Sequence, residues 1–300
     1  MKPICLSMNV ATGSYANGIA ESVSQSLKNV APSTLFTEED VPIITGKFPD
    51  GEVYVTLQEL ENQPSPSVWH LYHRFPIEEP LSVDSGMQEV LLAAHVLKSL
   101  GGAIVLHCPF LPYTRSDRPD LPHSRPAVSP IIAQQLRNSG IERIVTLPAG
   151  NISRIRACYL PIEIQYEPVL DSLIDSFTVR PEIIIGPDAG SEWITRGIGE
   201  QMKLEWACAK KRRHSPSSVT VSLDHMPQVK SVMIVDDLVS TGSTLRAVVE
   251  KLQATMQDIK YIGFRGIHYR PNEDTELESI GCSDIGFLTV PVTTGRGYLI

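Results

Sequence analysis

The chain has 300 residues, a formal net charge of −8, 42% hydrophobic residues and 20% charged residues. That balance suits an ordinary soluble protein of one large or two moderate domains, with chain enough for a real core. The acidic charge disfavours nucleic acid as a bulk electrostatic partner, and no apolar run approaches the roughly 18–20 residues that cross a membrane.

The start, MKPICLSMNVATG, lacks a sustained apolar stretch, so no secretory signal is expected. Residues 14–30 suggest a first helix beginning near Ser14 or Asn17, followed by a loop at Pro32. In ITGKFPDGEVYVTL a turn, Pro49-Asp50-Gly51, precedes an alternating strand of Val53, Val55 and Leu57. A polar connector, NQPSPS, leads to a strand over 68–72. Ser85 to Gln88 has the spacing of a capping box, and Met87, Val90, Leu91, Ala94 and Leu97 form one apolar helical face stopped by Gly101-Gly102. His95 lies on this helix and reads as a structural residue. Residues 103–108 are a continuous apolar run of the kind buried in a parallel sheet. It opens into PFLPYTRSDRPD, where Arg115, Asp117 and Arg118 concentrate charge. A helix over 127–140 and a strand over 143–147 follow, ending in Pro148-Ala149-Gly150.

The second half repeats the theme. A short buried strand over 183–185 ends in Gly186-Pro187-Asp188-Ala189-Gly190, ahead of a helix carrying Trp193, Ile194 and Ile198. The run KKRR, before HSPSS, reads by composition as a solvated, mobile loop. SVMIVDDLVSTGSTLRAVV then places an apolar strand, two acids, a hydroxyl-rich turn and a helical pattern of Leu245, Val248, Val249, Leu252 and Met256 in succession. Backbone N–H groups and hydroxyls at a helix start cradle a phosphate. Asp236 and Asp237 cannot face that phosphate without repulsion, so sugar hydroxyls or a cation are their natural partners. A phosphorylated sugar therefore fits this stretch. Strands over 261–268 and 285–290 close the chain, shortly before Thr293-Thr294-Gly295-Arg296. The cysteines, Cys5, Cys108, Cys158, Cys208 and Cys282, are scattered with no CxxC, which fits a reducing cytoplasm and no zinc site.

VDDLVSTGSTL resembles the ribose-5-phosphate loop shared by phosphoribosyltransferases and ribose-phosphate pyrophosphokinases, the PRPP synthetases. FPDGE is similar to the FSDGE segment of the pyrophosphokinases, PYTRSDR to their PYFGYARQDR, PDAG to their PDxGG, and KKRR to their Lys-Arg-Arg run. The five segments stand in family order from about residue 48 to residue 270. The resemblance implies an α/β fold of two tandem phosphoribosyltransferase-like domains with mostly parallel sheets, over 1–150 and 151–300, and an active site between them. It implies that Phe48 stacks on adenine while Asp50 and Glu52 contact its polar edge, from a loop supplied by a neighbouring subunit. Arg115 would bind ATP phosphates, and Asp117 would orient it or contact the nucleotide. Asp188 would bind Mg²⁺, and Lys211 and Arg213 would be the catalytic pair. Asp236 and Asp237 would take the ribose hydroxyls, and Ser240, Thr241, Gly242, Ser243 and Thr244 the 5-phosphate. A homo-oligomer, dimer or hexamer, is implied, using ATP and a ribose 5-phosphate compound, with neither nucleic acid nor membrane as partner.

The chain departs from the family at three places. Ser116 stands for the usual Gln, Ser240 for the usual Asp, and Gly150 for a histidine that helps hold Mg-ATP. His107 and His123 are the nearest histidines in sequence. Three other readings stay open: pyrophosphoryl transfer to a larger acceptor such as ADP-ribose, a non-catalytic regulatory subunit, and a PRPP-using phosphoribosyltransferase, which would not need FPDGE or YTRSDR.

Overall fold

The structure is a computed structural model that describes residues 3–5, 43–57, 68–73, 75, 83–213, 219–222, 227–269 and 280–288. The helix expected over 14–30, the connector 62–67, the HSPSS stretch and residues 289–300 lie outside them. The chain divides into two compact units, one of residues 1–147, 151–167 and 290–300, the other of 148–150 and 168–289.

The first unit carries a five-stranded parallel sheet. Its strands are β1 (Pro3–Cys5), β4 (Val68–Tyr72), β5 (Ala103–Cys108), β6 (Ile141–Thr146) and β7 (Glu163–Tyr166), neighbours in that order. The helices α1 (Val83–Ser99), α2 (Ser129–Ser139) and α3 (Ile152–Tyr159) supply the crossovers that parallel strands require. Alternation along the strands sends Trp69, Leu71, Ile104, Leu106 and Cys108 into one core with Met87, Val90, Leu97, Ile132, Leu136, Ile155 and Tyr159. The opposite parity carries polar rings. Tyr72 pairs in register with His107 and stacks on it at 4.5 Å, and His70 Nδ1 lies 2.7 Å from His107 Nε2. Burial, then the neighbouring His70 ring, lowers the His107 pKa to about 3. The helix expected from the capping-box spacing begins two residues earlier, at Val83, with Ser85 buried. Separately, β2 (Ile43–Lys47) and β3 (Val53–Leu57) form an antiparallel hairpin in which Gly46 faces Tyr54.

The second unit carries another five-stranded parallel sheet, ordered β14 (Asp284–Phe287), β13 (Tyr261–Tyr269), β12 (Ser231–Val239), β8 (Ile183–Gly186) and β9 (Glu205–Cys208). Its described helices are α4 (Leu170–Asp175), α5 (Glu192–Met202) and α6 (Ser243–Thr255). The central strand is apolar without alternation, Val232 to Val235 being wholly buried, as befits a sheet covered on both faces. One cation is built into the sheet. Arg265, 4% exposed, donates from Nε and Nη2 to the Ser176 carbonyl at 3.1 and 2.7 Å and from Nη2 to Asp284 Oδ2 at 2.6 Å. It ties the edge strand β14 and the end of α4 to β13.

The Lys-Arg-rich run is not an irregular loop. Lys210–Arg213 is the strand β10, paired antiparallel with β11 (Val219–Ser222), so that Lys211 lies opposite Val221 and Arg213 opposite Val219. Backbone pairing overrides a composition that reads as solvated coil, because ladder hydrogen bonds do not depend on apolar side chains.

Candidate functional site

In the second unit the site grows from two parallel strands ending side by side. The β8–β12 register sets Ile185 beside Ile234, and two residues on the chains reach Pro187-Asp188 and Asp236-Asp237. Acids from neighbouring strands thus collect at the carboxyl edge of the sheet, where open α/β folds bind ligands. The strand ladder runs on through the acid pair, with Leu238 opposite His268 and Val239 opposite Tyr269. This anchors both acids on rigid backbone.

The consequence is electrostatic. Burial, then the carboxylates of Asp237 and Asp188, push the Asp236 carboxyl well above the usual carboxylate range. Three acids converging this way would be relieved by a cation or by hydroxyl donors. The Asp237 N–H donates to Asp236 Oδ1 at 2.9 Å, and Asp237 Oδ2 accepts the backbone N–H of Gly150. Asp188 opens a short 3₁₀ turn: its Oδ1 accepts from the Gly190 N–H at 2.8 Å while Ser191 Oγ donates to its carbonyl at 2.8 Å. The close quarters before it require glycine, since a Cβ on Gly186 would sit 2.5 Å from Thr195 Oγ1 and 2.7 Å from Ser191 Oγ. Among the described residues no group of three His, Cys, Asp or Glu side chains is arranged as a metal cage. Mg²⁺ does not need one, because it is commonly held by one or two carboxylates plus substrate phosphates, and oxygen donors of this kind suit it.

The hydroxyl-rich turn then opens α6. Gly242, with φ 71°, is the residue before the helix, and Thr241 Oγ1 accepts the Ser243 N–H at 3.4 Å. Thr241 Oγ1 donates to Ser243 Oγ at 3.0 Å, holding the turn as a compact bend. Thr241 is exposed while Ser240, Ser243 and Thr244 are part-buried. A 13-residue helix whose first turn emerges from small residues offers N–H groups and a positive dipole end to a phosphate.

In the first unit, the FPDGE turn caps the β2–β3 hairpin. Phe48 N–H donates to the Glu52 carbonyl and Gly51 N–H to the Phe48 carbonyl, both at 2.8 Å, with Gly51 at φ 94°. Phe48 is 52% exposed, its ring 5.0 Å from Tyr54. Asp50 Oδ1 accepts the Glu52 N–H at 3.1 Å, and both acids are exposed. The turn thus holds an aromatic ring in solvent beside two exposed carboxylates.

The YTRSDR loop is tied by Ser116 N–H to the Tyr113 carbonyl at 2.9 Å, with Tyr113 itself at φ 62°. Arg115 is exposed. Asp117 Oδ2 pairs with Arg154 Nη1 at 3.1 Å, and Cys158 Sγ lies 3.6 Å from the Asp117 carbonyl. Arg154 comes from α3, whose start is capped by Asn151 Oδ1 accepting the Arg154 N–H at 2.9 Å. Sequence reasoning missed Arg154, Tyr54 and the Gly150 contact. The Asn151 cap followed by Arg154 was the available signal for the first of these.

Each unit thus gathers its own set of the expected residues: Phe48, Asp50, Glu52, Arg115 and Asp117 in one, and Asp188, Asp236, Asp237 and Ser240 to Thr244 in the other. Lys211 and Arg213 are placed by backbone register on β10. His107 is buried against His70 and Tyr72, a ring already hydrogen-bonded and stacked. The His123 side chain lies outside the described residues.

Residues 163–262 match the phosphoribosyl transferase domain family. A ribose-phosphate pyrophosphokinase of Prochlorococcus marinus is 25% identical over 219 residues, 72% of this chain and 64% of that protein. Ribose-phosphate pyrophosphokinase A of Dictyostelium discoideum is 26% identical, covering 69% of this chain and 64% of its own length. The enzyme of Chromobacterium violaceum is 28% identical, covering 67% and 60%. The chain therefore spans somewhat under two thirds of the relatives it matches. The crystal structure of phosphoribosylpyrophosphate synthetase from Mycobacterium smegmatis superposes with a TM-score of 0.74 at 18% identity, covering 99% of this chain and 92% of that one. The fold is that of a PRPP synthetase, α/β with mostly parallel sheets.

Proposed function

We propose that this chain, a relative of the ribose-phosphate pyrophosphokinases, transfers the β,γ-diphosphoryl group of ATP to the C1 hydroxyl of ribose 5-phosphate, giving PRPP and AMP. The observation that carries the reading is the joining of the Asp236-Asp237 pair to the hydroxyl-rich start of α6 on one strand end, with Asp188 beside it. Such a site takes sugar hydroxyls and a phosphate on the same ligand.

In this reading the C1 hydroxyl attacks the β-phosphorus and gives up its proton to solvent, the bond between the β-phosphorus and the bridging α-phosphate oxygen breaks, and AMP leaves with the electron pair. Little covalent chemistry falls to the protein, so positioning and charge neutralisation dominate. Asp236 and Asp237 hold the ribose hydroxyls, and Ser240 to Thr244 hold the 5-phosphate. Phe48, Asp50, Glu52, Arg115 and Asp117 take the nucleotide. Lys211 and Arg213 stabilise the transferring group, each well-placed group being worth roughly 2–4 kcal/mol. Asp188 with the acid pair would hold Mg²⁺, which supplies charge neutralisation on the phosphates. Assembly as a homo-oligomer in a reducing cytoplasm belongs to the same reading, supported by the free thiols of Cys108, Cys158, Cys208 and Cys282.

The test is AMP release from ATP and Mg²⁺ with ribose 5-phosphate or ADP-ribose, the product identified by phosphorus NMR. AMP with a new pyrophosphate at C1 of ribose 5-phosphate is expected, and Lys211→Ala should lower its rate by about 10²-fold or more. AMP formed only with ADP-ribose would keep the transfer and move the acceptor, a change for which Ser240 is the candidate determinant. No AMP with either would overturn the assignment and favour a regulatory subunit, whereas turnover unaffected by Lys211→Ala would remove Lys211 from the catalytic pair.

A further inference from the structure

The contact between Gly150 and Asp237 joins residues 87 positions apart, and it occurs inside the second unit, to which 148–150 belong. Asp237 is 6% exposed. Its carboxylate accepts an N–H from a backbone whose preceding residues, Pro148 and Ala149, are buried, Ala149 at 2% exposure. Gly150 sits at φ 69°, the left-handed region that glycine reaches without penalty and other residues reach at a cost.

A hydrogen bond to an ionised acceptor is stronger and more directional than a neutral one. An N–H on one oxygen of Asp237 sets the plane of the carboxylate. Binding a sugar through two adjacent hydroxyls needs that plane held closely.

We propose that Gly150 is a positioning residue for ribose binding: its backbone N–H, presented from a left-handed turn, orients Asp237 toward the sugar hydroxyls. The inference rests on the functional reading above and deepens it. This chain then uses the backbone of residue 150 on the ribose side of the reaction, with no side chain there to reach the nucleotide.

The experiment is calorimetric titration of the full chain with ribose 5-phosphate in the absence of ATP, and separately with ATP, for the wild type, Gly150→Ala and Gly150→Asn. Thermal melts check that all three are folded. Gly150→Ala should weaken ribose 5-phosphate binding about tenfold, a factor equal to roughly 1.4 kcal/mol, with ATP binding changed less than about twofold. Asparagine tolerates the left-handed turn and keeps the N–H, so Gly150→Asn should recover affinity to within about threefold of wild type. A Gly150→Ala chain that binds ribose 5-phosphate like wild type overturns the inference alone. So does one that loses ATP and ribose 5-phosphate affinity equally, or an asparagine variant as weak as the alanine one. A wild-type chain that binds no ribose 5-phosphate sinks the functional reading, and this inference falls with it.

Discussion

Replacing Arg265 by alanine tests whether the second unit depends on its buried cation. The guanidinium donates to the Ser176 carbonyl from two nitrogens, to Ser176 Oγ at 3.1 Å, to the Phe264 carbonyl at 2.8 Å and to Asp284 Oδ2 at 2.6 Å. It also packs on the edge strand, since a Cβ on Gly286 would meet its Cδ, Nε and Cζ at 3.1–3.2 Å. Removing one partner of a buried pair costs about 3–5 kcal/mol, because the other charge is left uncompensated. Asp284 is 27% exposed and keeps Thr178 Oγ1 at 2.7 Å and Tyr261 OH at 3.2 Å as donors, so the lower end applies. A loss of about 3 kcal/mol, or a fall of roughly 10–15 °C in Tm for a unit of this size, is expected at pH 7. Urea unfolding followed by circular dichroism measures it.

The pH dependence supplies a second readout. Hydrogen bonds from Arg265, then from Thr178, hold the Asp284 carboxyl below its ordinary value. A depressed folded pKa contributes stability above the unfolded value, near 3.9, and that contribution is lost as pH falls toward the folded pKa. The wild-type advantage over Arg265→Ala should therefore shrink below about pH 4. A loss under about 1 kcal/mol at pH 7 would refute the reasoning, as would a difference that does not diminish in acid.

Two further outcomes follow from other parts of the molecule. Phe48→Ala should raise the KM for ATP about fivefold to a hundredfold, the range of a lost base-stacking contact worth 1–3 kcal/mol, while Tm barely moves because the ring is 52% exposed. An unchanged KM would remove Phe48 from the nucleotide site. In the first unit, His107 titrates at about 3 when folded and near its ordinary value when unfolded, so the unfolded chain binds the extra proton between these limits. Stability should fall as pH drops below about 6.5, and by roughly 2 kcal/mol more between pH 7 and pH 5 than in His107→Phe. Parallel slopes for the two proteins would contradict the buried neutral pair.

Much of the fold was legible because it is written in local periodicity. The runs at Val68–Tyr72 and Ala103–Cys108 are strands with the expected bounds, since short, mainly apolar stretches of that length between turn signals suit a covered sheet. The hydroxyl-rich turn before α6 was legible for a related reason: small and hydroxyl residues between an apolar strand and an amphipathic helix leave few other conformations. Composition misread Lys210–Arg213, because a ladder partner at Val219–Ser222 is a long-range fact about backbone and leaves no mark on four basic side chains. It also ended β12 too early, at Val235, where parallel pairing with β13 carries the strand to Val239 through both acids.

What the chain by itself determined, then, is the succession of apolar runs, turns and helices and which polar residues fall at their ends. Only the tertiary structure decided what those residues face. Burial, then the neighbouring Asp237 and the Asp188 that β8–β12 register sets nearby, raised the Asp236 carboxyl pKa, α3 brought Arg154 to Asp117, and a left-handed turn brought the Gly150 amide to Asp237. Each of these depends on sequence-distant groups meeting at hydrogen-bond or electrostatic range. Local propensity cannot encode such meetings, because they exist only after the sheets have closed.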